Sequence, residues 1–306
     1  MPAGAGLYAN ELTFKRSLMQ RLIFVLLFLI PMATIAQKTD KKLGLKIQEA
    51  IAGYNGDIGV YVKNLRTGRT IAINADTIFP TASIVKVQIL AGITDKIEKG
   101  ELQYNQEFVY KDSLLYEGSD ILGSFKQDET ITLKKLIMLM LTTSDNTASL
   151  WLQSIAGTGA RINEIMESLG LHYTRVNSRV PGREEYRAIY QWGQTTPHEM
   201  ATLFEMIYRK KVISPEASEK MMRQLSRNFW DDVALSQIPP TVEVFSKNGA
   251  VNASRSEVLL VNHHKNPYIL SVFTKNNKDQ SWETDNEAWV LTRKISKMVW
   301  DFYGDK

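Results

Sequence analysis

Phe79-Pro-Thr-Ala-Ser83-Ile-Val-Lys86-Val-Gln-Ile-Leu90 is the stretch from which the fold can be read. Ile84, Val85, Val87, Ile89 and Leu90 leave almost no polar face, and a helix that is apolar all round is buried. The pattern predicts a helix over 83–99 that stops at Gly100. Upstream, two β-rich runs over 58–64 and 70–74 flank Arg66-Thr-Gly68 as a hairpin. Before them, Leu43, Leu45, Ile47 and Ile51 give a first helix over 41–52. Downstream, helical patterns cover 133–141, 147–155, 161–169 and 198–208. Strands return over 241–247, 257–261 and 268–274, and an amphipathic helix closes the chain over 282–303. Strands at both ends with helices between them predict an α/β (α+β) fold. Its antiparallel sheet is built from both chain ends and covered by the terminal helices, and it carries an all-helical lobe. The sheet part takes about 37–80 and 213–306, and the lobe about 81–212. A site is expected in the cleft between them.

The buried helix also carries a chemical signal. Ser83 and Lys86 are three residues apart and share a helix face, so hydroxyl and amine can meet. Burial favours the neutral amine, the form that can take a proton from Ser83. Backbone N–H groups near the helix start would stabilise a developing oxyanion. The plainer alternative is a serine cap with Lys86 reaching out to solvent. A Ser-x-x-Lys alone arises by chance about once in a chain this long.

Two further clusters read the same double way. Ser144-Asp145-Asn146 separates two helical patterns and is either an ordinary cap or a relay and ligand set. Lys247-Asn248-Gly249 is either a tight hairpin turn or a strand whose glycine lets a substrate lie against the backbone.

Taken together and in this order, the three clusters change the reading. With Phe79-Pro-Thr-Ala-Ser83, Ser144-Asp-Asn-Thr-Ala148, Thr195-Thr-Pro197 and the strand pair around Thr67-Gly68, the chain resembles the penicillin-recognising serine enzymes, specifically the class A β-lactamases. The resemblance spans about 45–303. It implies Ser83 as the acylated nucleophile, Lys86 as its base or base partner, and Ser144 as proton relay. It implies Asn146 as a substrate ligand and Lys247, with Asn248 and Gly249, as carboxylate-binding residues. The N–H groups of Ser83 and Ala250 would form the oxyanion hole. Arg255 stands one residue from a carboxylate-binding arginine of the family.

Two places depart from that pattern. Asn248 replaces the hydroxyl residue between lysine and glycine, so it can donate a hydrogen bond but with a different geometry. The loop glutamate that positions the hydrolytic water falls on Val180, within Asn177-Ser-Arg-Val-Pro-Gly182. Glu184 and Glu185 are the carboxylates able to substitute; otherwise they are a solvated charged pair with Arg183 and Arg187. Without such a base, acylation proceeds and deacylation is slow. The function expected is β-lactam hydrolysis through a Ser83 acyl-enzyme. A DD-peptidase or slowly deacylating penicillin-binding protein is the alternative, and a non-catalytic sensor of cell-wall peptide or β-lactam is a third reading.

Composition narrows the remainder. The 306 residues are 44% apolar and 23% charged, ordinary for a globular core. Cysteine is absent, which excludes a thiolate nucleophile, thiolate metal ligation and a lipidated cysteine. No Gly-x-Ser-x-Gly elbow occurs, and His263 and His264 are adjacent, facing opposite sides of a strand, so they make a poor metal pair. No cofactor and no metal are expected. The formal charge of +4 includes Lys15, Arg16 and Arg21 against Glu11, so the rest is too near neutral to suggest nucleic acid. Those residues precede Leu22-Ile-Phe-Val-Leu-Leu-Phe-Leu-Ile30, Pro31 and a small-residue stretch to Ala36, the pattern of an export signal. The start is Met1 or Met19. Cleavage near Ala36 would release an exported, periplasmic or secreted monomer whose partner is a small-molecule β-lactam or cell-wall peptide. A membrane would be touched only through an uncleaved leader.

Overall fold

The computed structural model describes residues 39–116, 118, 121–226 and 228–304. The leader and its cleavage site lie outside the described residues. Helix α1 (Lys41–Ile51) leads into β1 (Asp57–Asn64) and β2 (Thr70–Ile73), joined through the turn at Arg66-Thr-Gly68. The chain returns at its far end as β8 (Val244–Val251), β9 (Ser254–Val261) and β10 (Tyr268–Lys275), and closes with α9 (Glu287–Tyr303). The five form one sheet in the order β2-β1-β10-β9-β8, with each pair antiparallel.

Side-chain alternation along these strands makes two cores. Phe245, Val258, Leu260, Ile269 and Phe273 face the lobe and pack with Ile84, Val87 and Ile89. Val244, Leu259, Val261 and Leu270 face the other way, against Leu43 and Ile47 of α1 and Leu291, Ile295 and Val299 of α9. Both faces are therefore covered, and β9 is buried at every position. At about 1.5–3 kcal/mol per fully buried aliphatic side chain, this double cover is the main stabilising contribution.

The lobe centres on α2 (Val85–Glu98), which follows a 3-10 turn at Ala82–Ile84. Around it stand α3 (Leu133–Met138), continued as a π-turn over Leu139–Thr143, then α4 (Asn146–Ile155), α5 (Thr158–Ser168) and α7 (Pro197–Tyr208). The sequence suggested an all-helical lobe, but short strands stand among its helices. A short β4 (Glu107–Val109) pairs with β5 (Thr130–Thr132), and β3 (Phe79–Pro80) and β6 (Arg175–Val176) flank β7 (Gly193–Thr195). Two helices were not anticipated. α6 (Glu184–Tyr190) buries no residue and so has no apolar stripe to read. α8 (Pro215–Leu225) did carry a signal: Ser214 caps it, Pro215 opens it, and Ala217, Met221 and Leu225 recur every fourth residue. Its Met221 and Leu225 join the lobe-side core, although the sequence had assigned this stretch to the sheet part.

The strand expected to end at Lys247 runs on to Val251, and the hairpin turn falls at Asn252-Ala253. Gly249 is the reason. A Cβ there would sit 2.5 Å from the Thr81 carbonyl oxygen and 2.9 Å from the Ser83 nitrogen. The glycine serves close approach of strand to nucleophile turn rather than a bend.

Candidate active site

The turn before α2 presents Ser83 at its tip. Ala82 holds a left-handed φ of 44°, costly for a residue with a Cβ, and such strain persists only where neighbours fix the backbone. The β7 strand holds the same turn from behind: Thr81 donates its N–H to the Gly193 carbonyl at 2.9 Å. Ser83 is half-buried and opens onto a cavity of about 540 Å³.

One helical turn on, Lys86 is fully buried. Its Nζ lies 3.0 Å from Ser83 Oγ, 2.9 Å from Ser144 Oγ, 2.9 Å from Asn146 Oδ1 and 2.5 Å from the Ser144 carbonyl oxygen. Burial, and then the nearby charge of Lys247, hold its pKa well below the ordinary lysine value. The Lys86 amine is thus poised toward its neutral form. It does not reach out to solvent.

Ser144-Asp145-Asn146 combines both readings of its sequence. Asp145 caps α4, accepting the Ala148 N–H at 2.7 Å. Its other oxygen accepts from Ile121 and Leu122 at 2.6 and 2.8 Å, which ties the loop before β5 to the cluster. Ser144 sits in the left-handed region with φ 63°, a conformation that directs both its carbonyl and its hydroxyl to Lys86. Ser144 and Asn146 both line the cavity.

Opposite, β8 supplies Asn248, Gly249 and Ala250 to the cavity wall. Lys247 is buried beneath them and donates to the carbonyl and side-chain oxygens of Asn248 at 3.0 and 3.1 Å. Burial pushes its pKa down to about 7, opposed by Glu257.

Arg255 is not brought to the cavity. β9 turns its side chain to the α9 side, where the guanidinium lies 4.3 Å over Trp282 and 4.9 Å over Trp289. It donates to the carbonyls of Val251, Asn252, Ser254 and Ser281. A guanidinium so stacked and bonded has little reach left for a substrate carboxylate.

Sequence reasoning missed Glu257. It stands opposite Asn248, is buried, lines the cavity, and accepts backbone N–H groups from Ala234 at 2.7 Å and Leu235 at 3.3 Å. Burial raises its pKa to about 7. Its signal was present: a lone carboxylate inside Ser254-Arg-Ser-Glu-Val-Leu-Leu-Val261, a run otherwise fit for a buried strand.

The loop over 177–182 is built without a carboxylate, and none of its residues lines the cavity that Ser83 opens onto. Val180 is buried in the lobe-side core against Gly159 and Val176. Arg183 holds the loop by donating to Asn177 Oδ1 at 2.7 Å and Gln194 Oε1 at 2.8 Å. Glu184 and Glu185 are exposed on the first turn of α6, and neither lines the cavity. No ion pair joins them to Arg183 or Arg187 among the described residues.

The sequence profile described as the Beta-lactamase enzyme family matches residues 42–303. The chain belongs to that family. Beta-lactamase VEB-1 of Pseudomonas aeruginosa is 25% identical over 308 residues, covering 94% of this chain and 99% of the relative. Among solved structures, a mutant of PBP-A in acyl-enzyme complex with penicillin G superposes with a TM-score of 0.78 at 20% identity, over 88% of this chain and 99% of that one. An ancestral class A beta-lactamase superposes at 0.74 with 21% identity, over 85% and 100%. This β-lactamase-family chain therefore has the class A fold. No helix of its described residues is long and apolar enough to cross a membrane.

Proposed function

We propose that this chain is a serine hydrolase that opens β-lactam amides through a covalent Ser83 acyl-enzyme. One observation carries the reading: buried Lys86 Nζ lies 3.0 Å from Ser83 Oγ and 2.9 Å from Ser144 Oγ, the two hydroxyl residues that line the cavity. As the neutral amine, Lys86 accepts the Ser83 proton while Oγ attacks the lactam carbonyl. The oxyanion is met by the backbone at Ser83 and Ala250, where β8 lies against the nucleophile turn. The proton then passes through Ser144 Oγ to the departing ring nitrogen, and the C–N bond breaks. Asn146 takes the substrate's side-chain amide, and Lys247 with Asn248 takes its carboxylate. Export through the leader puts this chemistry where cell-wall acyl donors and their β-lactam mimics are found.

A specific observation favours a second reading of the final step. With Val180 buried and Glu184 and Glu185 exposed, no loop carboxylate stands ready to activate water for the acyl-enzyme among the described residues. A penicillin-binding protein or DD-peptidase that releases β-lactams slowly fits that arrangement. Time-resolved intact mass of the purified protein mixed with penicillin separates the two. An adduct that forms and decays as hydrolysed drug accumulates means β-lactamase turnover, and a persistent adduct means the second reading. No adduct at any time overturns the nucleophile assignment and leaves a non-catalytic binder.

A further inference from the structure

The left-handed φ of 63° at Ser144 is one that a residue with a Cβ keeps only where its surroundings fix it. The direction of its hydroxyl follows from the two rigid peptide planes that flank its Cα. The plane after Ser144 is held twice. Its carbonyl accepts from Lys86 Nζ, and the Asp145 N–H donates to the Leu139 carbonyl at 3.1 Å. The plane before Ser144 is held by the π-turn on one side only, where the Ser144 N–H also donates to Leu139. Its other side is the Thr143 carbonyl. The last carbonyls of a helical turn lack partners within it. Here Thr143 accepts the Trp230 Nε1–H at 2.9 Å, and Thr142 accepts the Phe229 N–H at 3.0 Å.

Trp230 can bear on that plane because its own segment is fixed to the sheet part. Asn228 donates its side-chain amide to Ser246 Oγ at 3.2 Å, one residue before Lys247, and accepts the Trp230 backbone N–H at 3.2 Å. Further on, Arg293 donates to the Asp232 carbonyl at 3.3 Å and Ser296 Oγ to the Ala234 carbonyl at 2.7 Å. Buried Glu257 accepts the N–H groups of Ala234 and Leu235. Residues 228–235 therefore cross from lobe to sheet as a strap, with Glu257 as one of its anchors. Water would satisfy the Thr143 carbonyl as well as an indole does, but it would not fix that carbonyl's direction.

We propose that Trp230 is a positioning residue for the proton relay. Its indole N–H fixes the Thr143–Ser144 peptide and so aims Ser144 Oγ between Lys86 and the departing nitrogen. The assignment rests on the Ser83 acylation reading above and adds to it what orients the relay.

Trp230→Phe keeps a ring in the cavity wall and removes the donor. Acylation of the full chain over a series of penicillin concentrations is followed by quenched intact mass. It yields the limiting acylation rate constant and the Kd of the complex that precedes it. The rate constant is expected to fall about tenfold, the upper end for one net hydrogen bond. Kd should stay within about twofold, and the thermal midpoint should hold because the side chain is exposed. In a Ser144→Ala background, followed over hours, Trp230→Phe should have no further effect, since residues that act through one another are not additive. An unchanged rate constant, a change confined to Kd, or an equal fall in both backgrounds overturns the inference alone. If the unsubstituted protein forms no Ser83 adduct, the inference falls together with the reading beneath it.

Discussion

The nucleophile cluster and the 177–182 loop are built to different standards. On the acylation side, Ser83, Lys86, Ser144 and Asn146 converge within hydrogen-bond distance, and two residues hold left-handed backbone to keep them there. On the loop side, the segment around Val180 is packed as ordinary core, and its nearest carboxylates, Glu184 and Glu185, are exposed. The first side has the marks of selected chemistry, because strain and a buried lysine are retained only against a cost. The second also holds a strained residue, Arg179 with a left-handed φ of 54°, but brings no carboxylate to the cavity. The difference teaches that bond making at Ser83 and water-driven release are separable properties of this fold.

The strongest way to break the comparison is at the nucleophile. Ser83→Ala is expected to abolish the covalent adduct while circular dichroism and thermal midpoint stay close to the parent. An adduct on that variant would place the chemistry elsewhere. Lys86→Ala should slow acylation by about 10²–10⁴-fold, the usual worth of a positioned base. Stopped-flow acylation rates decide it.

Gly249→Ala probes the strand that faces this cluster. Its Cβ would need room that the Thr81 carbonyl occupies, so β8 must shift away from Ser83. A displacement approaching 1 Å costs about 10²-fold in acylation. A variant that acylates at the parental rate would show that β8 does not set the oxyanion geometry.

Val180→Glu sharpens the loop side. Placing a carboxylate there should speed loss of the acyl adduct by about tenfold, the order that positioned base catalysis begins to supply. It should also lower stability by about 1–3 kcal/mol, since the group enters a packed apolar site. Unchanged adduct lifetime in a folded variant would mean that the loop does not control release.

The pH response is a smaller effect and has two signs. Lys86 must be neutral to act as base, so the acylation rate constant rises with pH, with its midpoint below an ordinary lysine's. Lys247, with its pKa at about 7, is charged below that value and loses its charge above it. KM for carboxylate substrates should therefore climb severalfold between about pH 6 and pH 8. A flat KM over that interval would remove Lys247 from carboxylate binding. The smallest expected effect is that of Glu184→Gln with Glu185→Gln, which should leave adduct lifetime within about twofold, as befits exposed side chains. A marked lengthening would return these residues to the release step.

Much of this could be read in the chain directly. Helix α2 was legible because Ile84, Val85, Val87, Ile89 and Leu90 admit no exposed face, and the sheet because its strands alternate or run continuously apolar. Ser83 and Lys86 were legible because a three-residue spacing on a helix is itself a distance. The orientation of Arg255 was not legible. Arg255 shares its strand face with Glu257. What draws it off the cavity is its stacking on Trp282 and Trp289 and its bonds to the carbonyls of Asn252, Ser254 and Ser281, all set by chain that is distant or turned back in space. Glu257 did leave a trace, a lone carboxylate in a buried-strand run, whereas α6 left none because a helix that buries nothing has no apolar period.

The sequence by itself determined the layered fold, the nucleophile helix and the three clusters, since these depend on local spacing and apolar period. Only the tertiary structure decided that Gly249 is a contact rather than a turn, that Arg255 stacks away from the cavity, and that two carboxylates line it. Those outcomes depend on which distant strands and loops meet, and the energies that select the meeting come from packing and burial rather than from any local run of residues.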